Sequence, residues 1–196
     1  RQHRRGRCRF TFRPGVTPTT SPTIHVRRGQ TIDLQACRII ENDSAHLFAE
    51  LGMPGIAEDP SVELEELAQG QADGRLWVAT DDDDVPVGFA LIMMVDGLPH
   101  LRELDVLTRW QRRGVGKSLI AAIVGDARAA GHAWLTLTTF ADVPWNAPYY
   151  ARLGFEPIAT EALAPQMREV FEHEAPGDIT LNPRVAMRLD LTACIF

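Results

Sequence analysis

Apolar positions along this chain change period several times, and each change marks an element. Ile24-His25-Val26-Arg27 alternates, which predicts a half-buried strand. Thr31 then opens a helix, with Leu34 three residues on and apolar residues continuing through Ile39, Ile40, Leu47 and Phe48. Gly52, Pro54 and Gly55 break it into a loop over Leu51 to Pro60. Ser61-Val-Glu-Leu-Glu-Glu-Leu reads as a short helix with glutamate in the capping-box region. Gly74 to Thr80 and Val85 to Val95 read as strands around an acidic turn, Asp81 to Asp84. Gly97-Leu-Pro makes another turn, and His100 to Leu107 is the central strand. The period then becomes helical: Val115, Leu119, Ile120, Ile123, Val124 and Ala127 share one face, and Gly131 stops the run. Trp134 to Thr139 is a strand parallel to the central one, so strand, helix and strand form a right-handed crossover. A short helix opened by Asn146 ends at Gly154, with Phe155 packing back. A strand at Glu156 to Ala159, a helix over residues 161–174 and a last strand at Arg184 to Leu189 complete the pattern.

Length and composition narrow the class. A chain of 196 residues with 45% hydrophobic residues suits one domain with its own core, and the pattern assigns residues 24–190 to it. Residues 1–23, rich in Arg, Thr and Pro, read as a disordered basic leader, and residues 191–196 as a C-terminal extension. Eight of the 20 basic residues lie within the first 30, where there is no acid. The rest carries all 26 acidic residues and shows no nucleic-acid footprint. No apolar run is long enough to span a membrane. Cys8, Cys37 and Cys194 are too few and too far apart for a disulfide framework or a metal site, which points to a reducing cytoplasm and no metal.

The chemistry gathers between the central strand and the helix after it, at Gln111-Arg112-Arg113-Gly114-Val115-Gly116-Lys117-Ser118. Two glycines leave the N–H groups that open a helix uncovered, and a helix N-terminus favours phosphate. Arg112, Arg113 and Lys117, the chain's one lysine, add cationic donors. A Walker A loop would need glycine where Gln111 stands, and a dinucleotide fingerprint would need glycine where Leu119 stands. The pattern Gln-x-x-Gly-x-Gly is met at every fixed position from Gln111 to Gly116.

That motif at a strand–loop–helix junction resembles the first signature of the GNAT superfamily of acyl-CoA-dependent N-acetyltransferases. Asn146 with Tyr150-Ala-Arg-Leu-Gly154-Phe155 resembles the second, at the expected distance, so the likeness covers about half the chain. It implies an α/β fold: a mixed, mostly antiparallel sheet with helices on both faces, splayed open between two parallel strands. Acetyl-CoA would lie in the splay. The main chain of Leu104, Asp105 and Val106 would pair with its pantetheine arm, with the Val106 N–H polarising the thioester carbonyl. Arg112, Arg113, Gly114, Val115, Gly116, Lys117 and Ser118 would hold the pyrophosphate, and Asn146 would contact the arm.

The resemblance also implies a reaction. A primary amine, most simply that of a small molecule, would attack in a ternary complex after losing a proton. Glu103 is the favoured base and His100 the second choice, and Asp105 is a third candidate on the same strand. A bulge in that strand would decide which of them face the pocket. Tyr150 would protonate the leaving thiolate. The first helices would border the acceptor pocket, so Phe48, Glu50 and Met53 are candidates to touch substrate, with packing as the plainer role. Rival expectations on the same fold are a non-catalytic acyl-CoA-binding or regulatory module and a protein or peptide N-acetyltransferase. Neither nucleic acid nor membrane is expected as a partner, and the chain is expected to be a monomer or homodimer.

Overall fold

Seven strands form one sheet in the order β1-β2-β3-β4-β5-β7-β6, with every neighbouring pair antiparallel except β4 and β5. The computed structural model describes residues 23–53, 62–174 and 183–193. The leader expected over 1–23 lies outside these residues but for Thr23, as do Cys8, Cys194, most of the loop after Leu51 and the last three residues of the expected extension. The strands are β1 His25–Arg28, β2 Leu76–Thr80, β3 Pro86–Val95, β4 Leu98–Val106, β5 Trp134–Phe140, β6 Glu156–Ile158 and β7 Arg184–Asp190. The helices are α1 Leu34–Glu50, α2 Leu64–Ala72, α3 Val115–Ala129, α4 Ala147–Arg152 and α5 Pro165–Glu174. No helix among the described residues is long and apolar enough to cross a membrane.

The differences from the sequence pattern have local causes. The first helix is not capped by Thr31. The Asp33 carboxylate accepts the Gln30 N–H at 2.7 Å and fixes a 3-10 turn ahead of α1. β4 begins two residues before His100, because Asp96 and Gly97 both have positive φ and form a two-residue hairpin that pairs Val95 with Leu98. The helix expected over 161–174 starts at Pro165, after a separate 3-10 turn at Thr160–Ala162. Proline disfavours helical geometry at the residue before it and is itself well suited to a first turn. The acidic turn is a solvated hairpin: Asp81 Oδ1 accepts the Asp83 and Val85 N–H groups, and Asp84 pairs with Arg27 at 2.9 Å.

Neighbouring residues on a strand face opposite ways, and β4 sorts the helices accordingly. Leu104 and Val106 point to the face covered by α3, where Leu104 lies by Gly116 and Val106 packs on the core with Val115 and Leu119. Asp105 points to the other face, where it meets Ser44 of α1. The main core joins both faces through Phe89, Leu91, Ile120, Leu135 and Leu137, all 2% exposed or less. A second, smaller core of Val95, Leu163, Met167 and Ala186 seats α5 over β7.

Candidate active site

The sheet opens where β4 and β5 part. They pair at two positions only, His100 with Thr136 and Leu101 with Leu137. The next step on β4 is irregular. Leu91 of β3 faces Glu103 while Ile92 faces Leu101, so Arg102 is an extra residue. Such a bulge bends the strand and re-aims its side chains. Here it ends the pairing with β5 and brings the side chains of Arg102 and Glu103 together, with Arg102 Nη1 3.9 Å from Glu103 Oε2. Beyond it, the Leu107 N–H bonds to Val87 O on β3 at 3.0 Å. Alternation then turns the Val106 N–H toward the opposite edge, into the gap.

The α3 side of the gap is built from backbone. Gln111 Nε2 donates to Val106 O at 3.4 Å, which ties the loop to the strand. Arg112 and Gly114 have φ of 58° and 86°. Left-handed residues among right-handed ones turn successive N–H groups inward as an anion-binding concavity. The first N–H bonded within α3 is that of Ser118, to Gly114 O at 2.9 Å. Those of Val115, Gly116 and Lys117 therefore head the helix, at the positive end of its dipole. A Cβ at Gly116 would come within 2.9 Å of Tyr149 Oη, so the missing side chain lets Tyr149 close over the loop. Arg112, Arg113 and Lys117 are exposed around it, with Arg113 5.3 Å from the centre of the Trp110 ring.

The opposite side is built from side chains. Asp105 is half-buried with its Oδ2 enclosed, and Ser44 Oγ lies 2.5 Å from its Oδ1 and 2.9 Å from Glu41 O. Burial, and then the charge of Glu103, push the Asp105 carboxyl well above the usual range. The hydrogen bonding agrees. Ser44 has one hydroxyl proton for two acceptors, and a neutral Asp105 supplies the second. Tyr150 stands on α4 with its ring 5.4 Å from Tyr149 and 5.6 Å from Phe155. Burial, then Glu103, Tyr149 and Asp105, hold its phenol far above the ordinary range, so it keeps its proton. Burial pushes Tyr149 up to about 12 and the buried Cys37 thiol also to about 12, which leaves Cys37 unreactive.

The sequence-predicted residues thus separate. Leu104, Asp105, Val106, Gln111 and the segment from Arg112 to Ser118 lie along the gap and its loop. Glu103, Asp105 and Tyr150 come together on the other side. His100 is set apart. It is fully buried, and its Nδ1 lies 3.0 Å from Thr136 Oγ1. Thr136 donates in turn to Pro99 O at 3.3 Å, so the proton between His100 and Thr136 belongs to Nδ1. Burial lowers the His100 pKa to about 4. Asn146 occupies the N-cap of α4 but makes no side-chain cap. Its carbonyl accepts the Tyr149 and Tyr150 N–H groups at 2.8 and 3.0 Å.

Sequence reasoning missed a set of partners drawn from distant segments. Glu174, at the end of α5, accepts from Arg184 at 2.6 Å and from Thr138, and lies 3.7 Å from Arg102. Arg102 also donates to Glu66 of α2 at 3.2 Å. Ser44 and Glu41 belong with them. A helix pattern gives no sign that a polar residue will meet a strand 61 positions away.

Comparison with known proteins agrees with this geometry. Residues 72–157, from the end of α2 through β6, match the model of the acetyltransferase (GNAT) domain. Solved structures share the fold at low identity. The ribosomal-protein-S18-alanine N-acetyltransferase of Escherichia coli is 19% identical over 86% of this chain and 94% of its own, with a TM-score of 0.59. PaiA N-acetyltransferase of Thermoplasma acidophilum, in complex with coenzyme A, is 16% identical over 86% and 99%, with a TM-score of 0.60. N-acetylglutamate synthase of Neisseria gonorrhoeae, complexed with coenzyme A and N-acetyl-glutamate, is 15% identical with a TM-score of 0.66; the match covers 88% of this chain but 36% of that one. Residues 72–157 thus match the acetyltransferase (GNAT) domain, and the chain shares the fold of these acetyltransferases.

Proposed function

We propose that the chain transfers an acetyl group from acetyl-CoA to the primary amine of a small molecule, by direct attack within a ternary complex. One observation carries the reading: a loop of uncovered N–H groups and a half-buried acid cluster lie on opposite sides of one gap in the sheet. The residues present suit the donor. The Val115, Gly116 and Lys117 N–H groups, with Arg112, Arg113, Lys117 and Ser118 beside them, would hold a pyrophosphate. The open edge at Leu104 and Val106 would receive the pantetheine arm, and Asn146 stands near its path. Acetyl-CoA supplies the activated acyl group.

The rest falls to this chain. Glu103 takes the proton that the attacking nitrogen must lose. Asp105, kept neutral, leaves Glu103 as the charged member of the pair. The Val106 N–H donates toward the carbonyl oxygen where charge builds. As the carbon–sulfur bond breaks, the Tyr150 hydroxyl gives its proton to the sulfur. His100, enclosed and neutral, is a structural wedge at the point of splay in this reading. The test is release of CoA thiol from acetyl-CoA with a panel of amines and peptides. Turnover with small amines is expected. Turnover confined to peptides would move the acceptor to a protein. Acetyl-CoA binding without any turnover would make the chain a binding module.

A further inference from the structure

We infer that the acceptor is an amphipathic amine with an aromatic or flat apolar body, seated on Phe48, Phe140 and Trp145 with its nitrogen at Glu103. This rests on the acetyl-transfer reading and adds the class of acceptor. The three rings come from α1, the end of β5 and the loop before α4. Phe48 stands 5.6 Å from Phe140 at 57° and 5.9 Å from Trp145 at 67°. Among the described residues they join neither hydrophobic core. Trp145 is 39% exposed, and Phe48 and Phe140 are half-buried. Rings clustered outside a core, at the mouth of a gap, leave apolar area for a ligand to cover.

Their placement relative to the acids follows from the strands. Thr136 meets His100, and Thr138 meets Glu174, so Phe140 lies on that same face of β5. Phe48 is one helical turn past Ser44, which touches Asp105. The face therefore has an acid wall on β4 and an aromatic wall at the end of β5, with α1 bridging the two.

Charge decides against a carboxylate-bearing acceptor. Among the described residues, the two cations beside Glu174 are already matched: Arg102 by Glu66, Glu103 and Glu174, and Arg184 by Glu174. Arg184 also lies 4.7 Å from the centre of the Phe140 ring, fixed there by Glu174. An amino-acid carboxylate would have to break these pairs, whereas a simple ammonium group adds the cation that three carboxylates beside two arginines lack.

The test uses 2-phenylethylamine, n-butylamine and glutamate, with calorimetric titration in the presence of CoA alongside thiol release from acetyl-CoA. 2-Phenylethylamine should bind and react at least about tenfold better in kcat/KM than n-butylamine, and glutamate should do neither. Phe48→Ala and Trp145→Ala should raise KM for 2-phenylethylamine about tenfold or more and remove its advantage over n-butylamine, with acetyl-CoA affinity nearly unchanged. Equal constants for the two amines, a preference for glutamate, or no binding of 2-phenylethylamine would each overturn the inference. Binding of 2-phenylethylamine that is lost in Phe48→Ala, with no thiol release, would support the aromatic seat while refuting acetyl transfer.

Discussion

The two sides of the gap solve opposite problems with opposite materials. The α3 side presents main-chain N–H groups and exposed cations, and it does so by leaving side chains out at Gly114 and Gly116. The α1 side presents side chains that are half-buried, mutually perturbed and gathered from α1, β4 and α4. A site for a highly charged group can stay in water, because dipole and cations act at the surface and nothing needs its pKa moved. A site that moves protons needs groups whose pKa values differ from those in water, and burial supplies the difference.

The sharpest way to break this comparison is at the loop. Gly114→Asp puts a negative charge where the N–H groups converge. Space exists, since nothing lies within 4 Å of a Cβ there, and aspartate tolerates the positive φ better than most residues. Acetyl-CoA affinity measured by calorimetry should fall about 100-fold or more, with the circular dichroism spectrum unchanged. An unchanged affinity would remove the loop from donor binding.

Tyr150→Phe tests the other side and comes next in size. The ring and its packing on Tyr149 and Phe155 remain, and only the hydroxyl is lost. A thiol with a pKa near about 8.5 is a tolerable leaving group unaided. kcat should therefore fall about 10- to 1,000-fold, with acetyl-CoA affinity unchanged. If Tyr149→Phe has that effect instead, the donor is the tyrosine that sits over Gly116.

These two residues also show what was legible beforehand. Gly114 and Gly116 act through local backbone geometry, so a six-residue motif carries their whole meaning. The element types were readable for the same reason, since period 2 and period 3.6 are local signals. The environment of Tyr150 was not, because it depends on Glu103 and Asp105 arriving from β4. His100 and Glu103, three residues apart on one strand, look alike as candidate bases in sequence. The bulge at Arg102 and the end of the β5 pairing separate them, leaving one sealed against Thr136 and the other beside the gap. A bulge is set by tertiary fit, and no residue between Leu101 and Asp105 announces it.

Glu103→Gln sharpens that separation. The amine is mostly protonated near neutral pH, and it is there that a base helps. The variant should lose about 10- to 100-fold in kcat/KM near pH 7 and recover as pH rises toward the amine pKa, about 10. His100→Gln should keep the wild-type shape of the pH profile. The reverse pattern would make His100 the base.

The smallest effect concerns what burial does to stability on the α1 side. Asp105 is held protonated in the folded chain, with its pKa above the unfolded value of about 3.9. Below that value the carboxyl is neutral in both states, and its contribution to stability is complete. As pH rises, the unfolded chain gives up the proton and the folded chain does not, so stability is lost across the interval up to the folded pKa. Asp105→Asn keeps the shape and an N–H donor toward Ser44, and it has no proton to lose. Its melting temperature should therefore gain on the wild type by a few degrees between pH 4.5 and pH 8. A gap between Asp105→Asn and the wild type that is equal at both pH values would mean that Asp105 is ionised in the fold. Asp105 would then stand beside Glu103 as a second charged base.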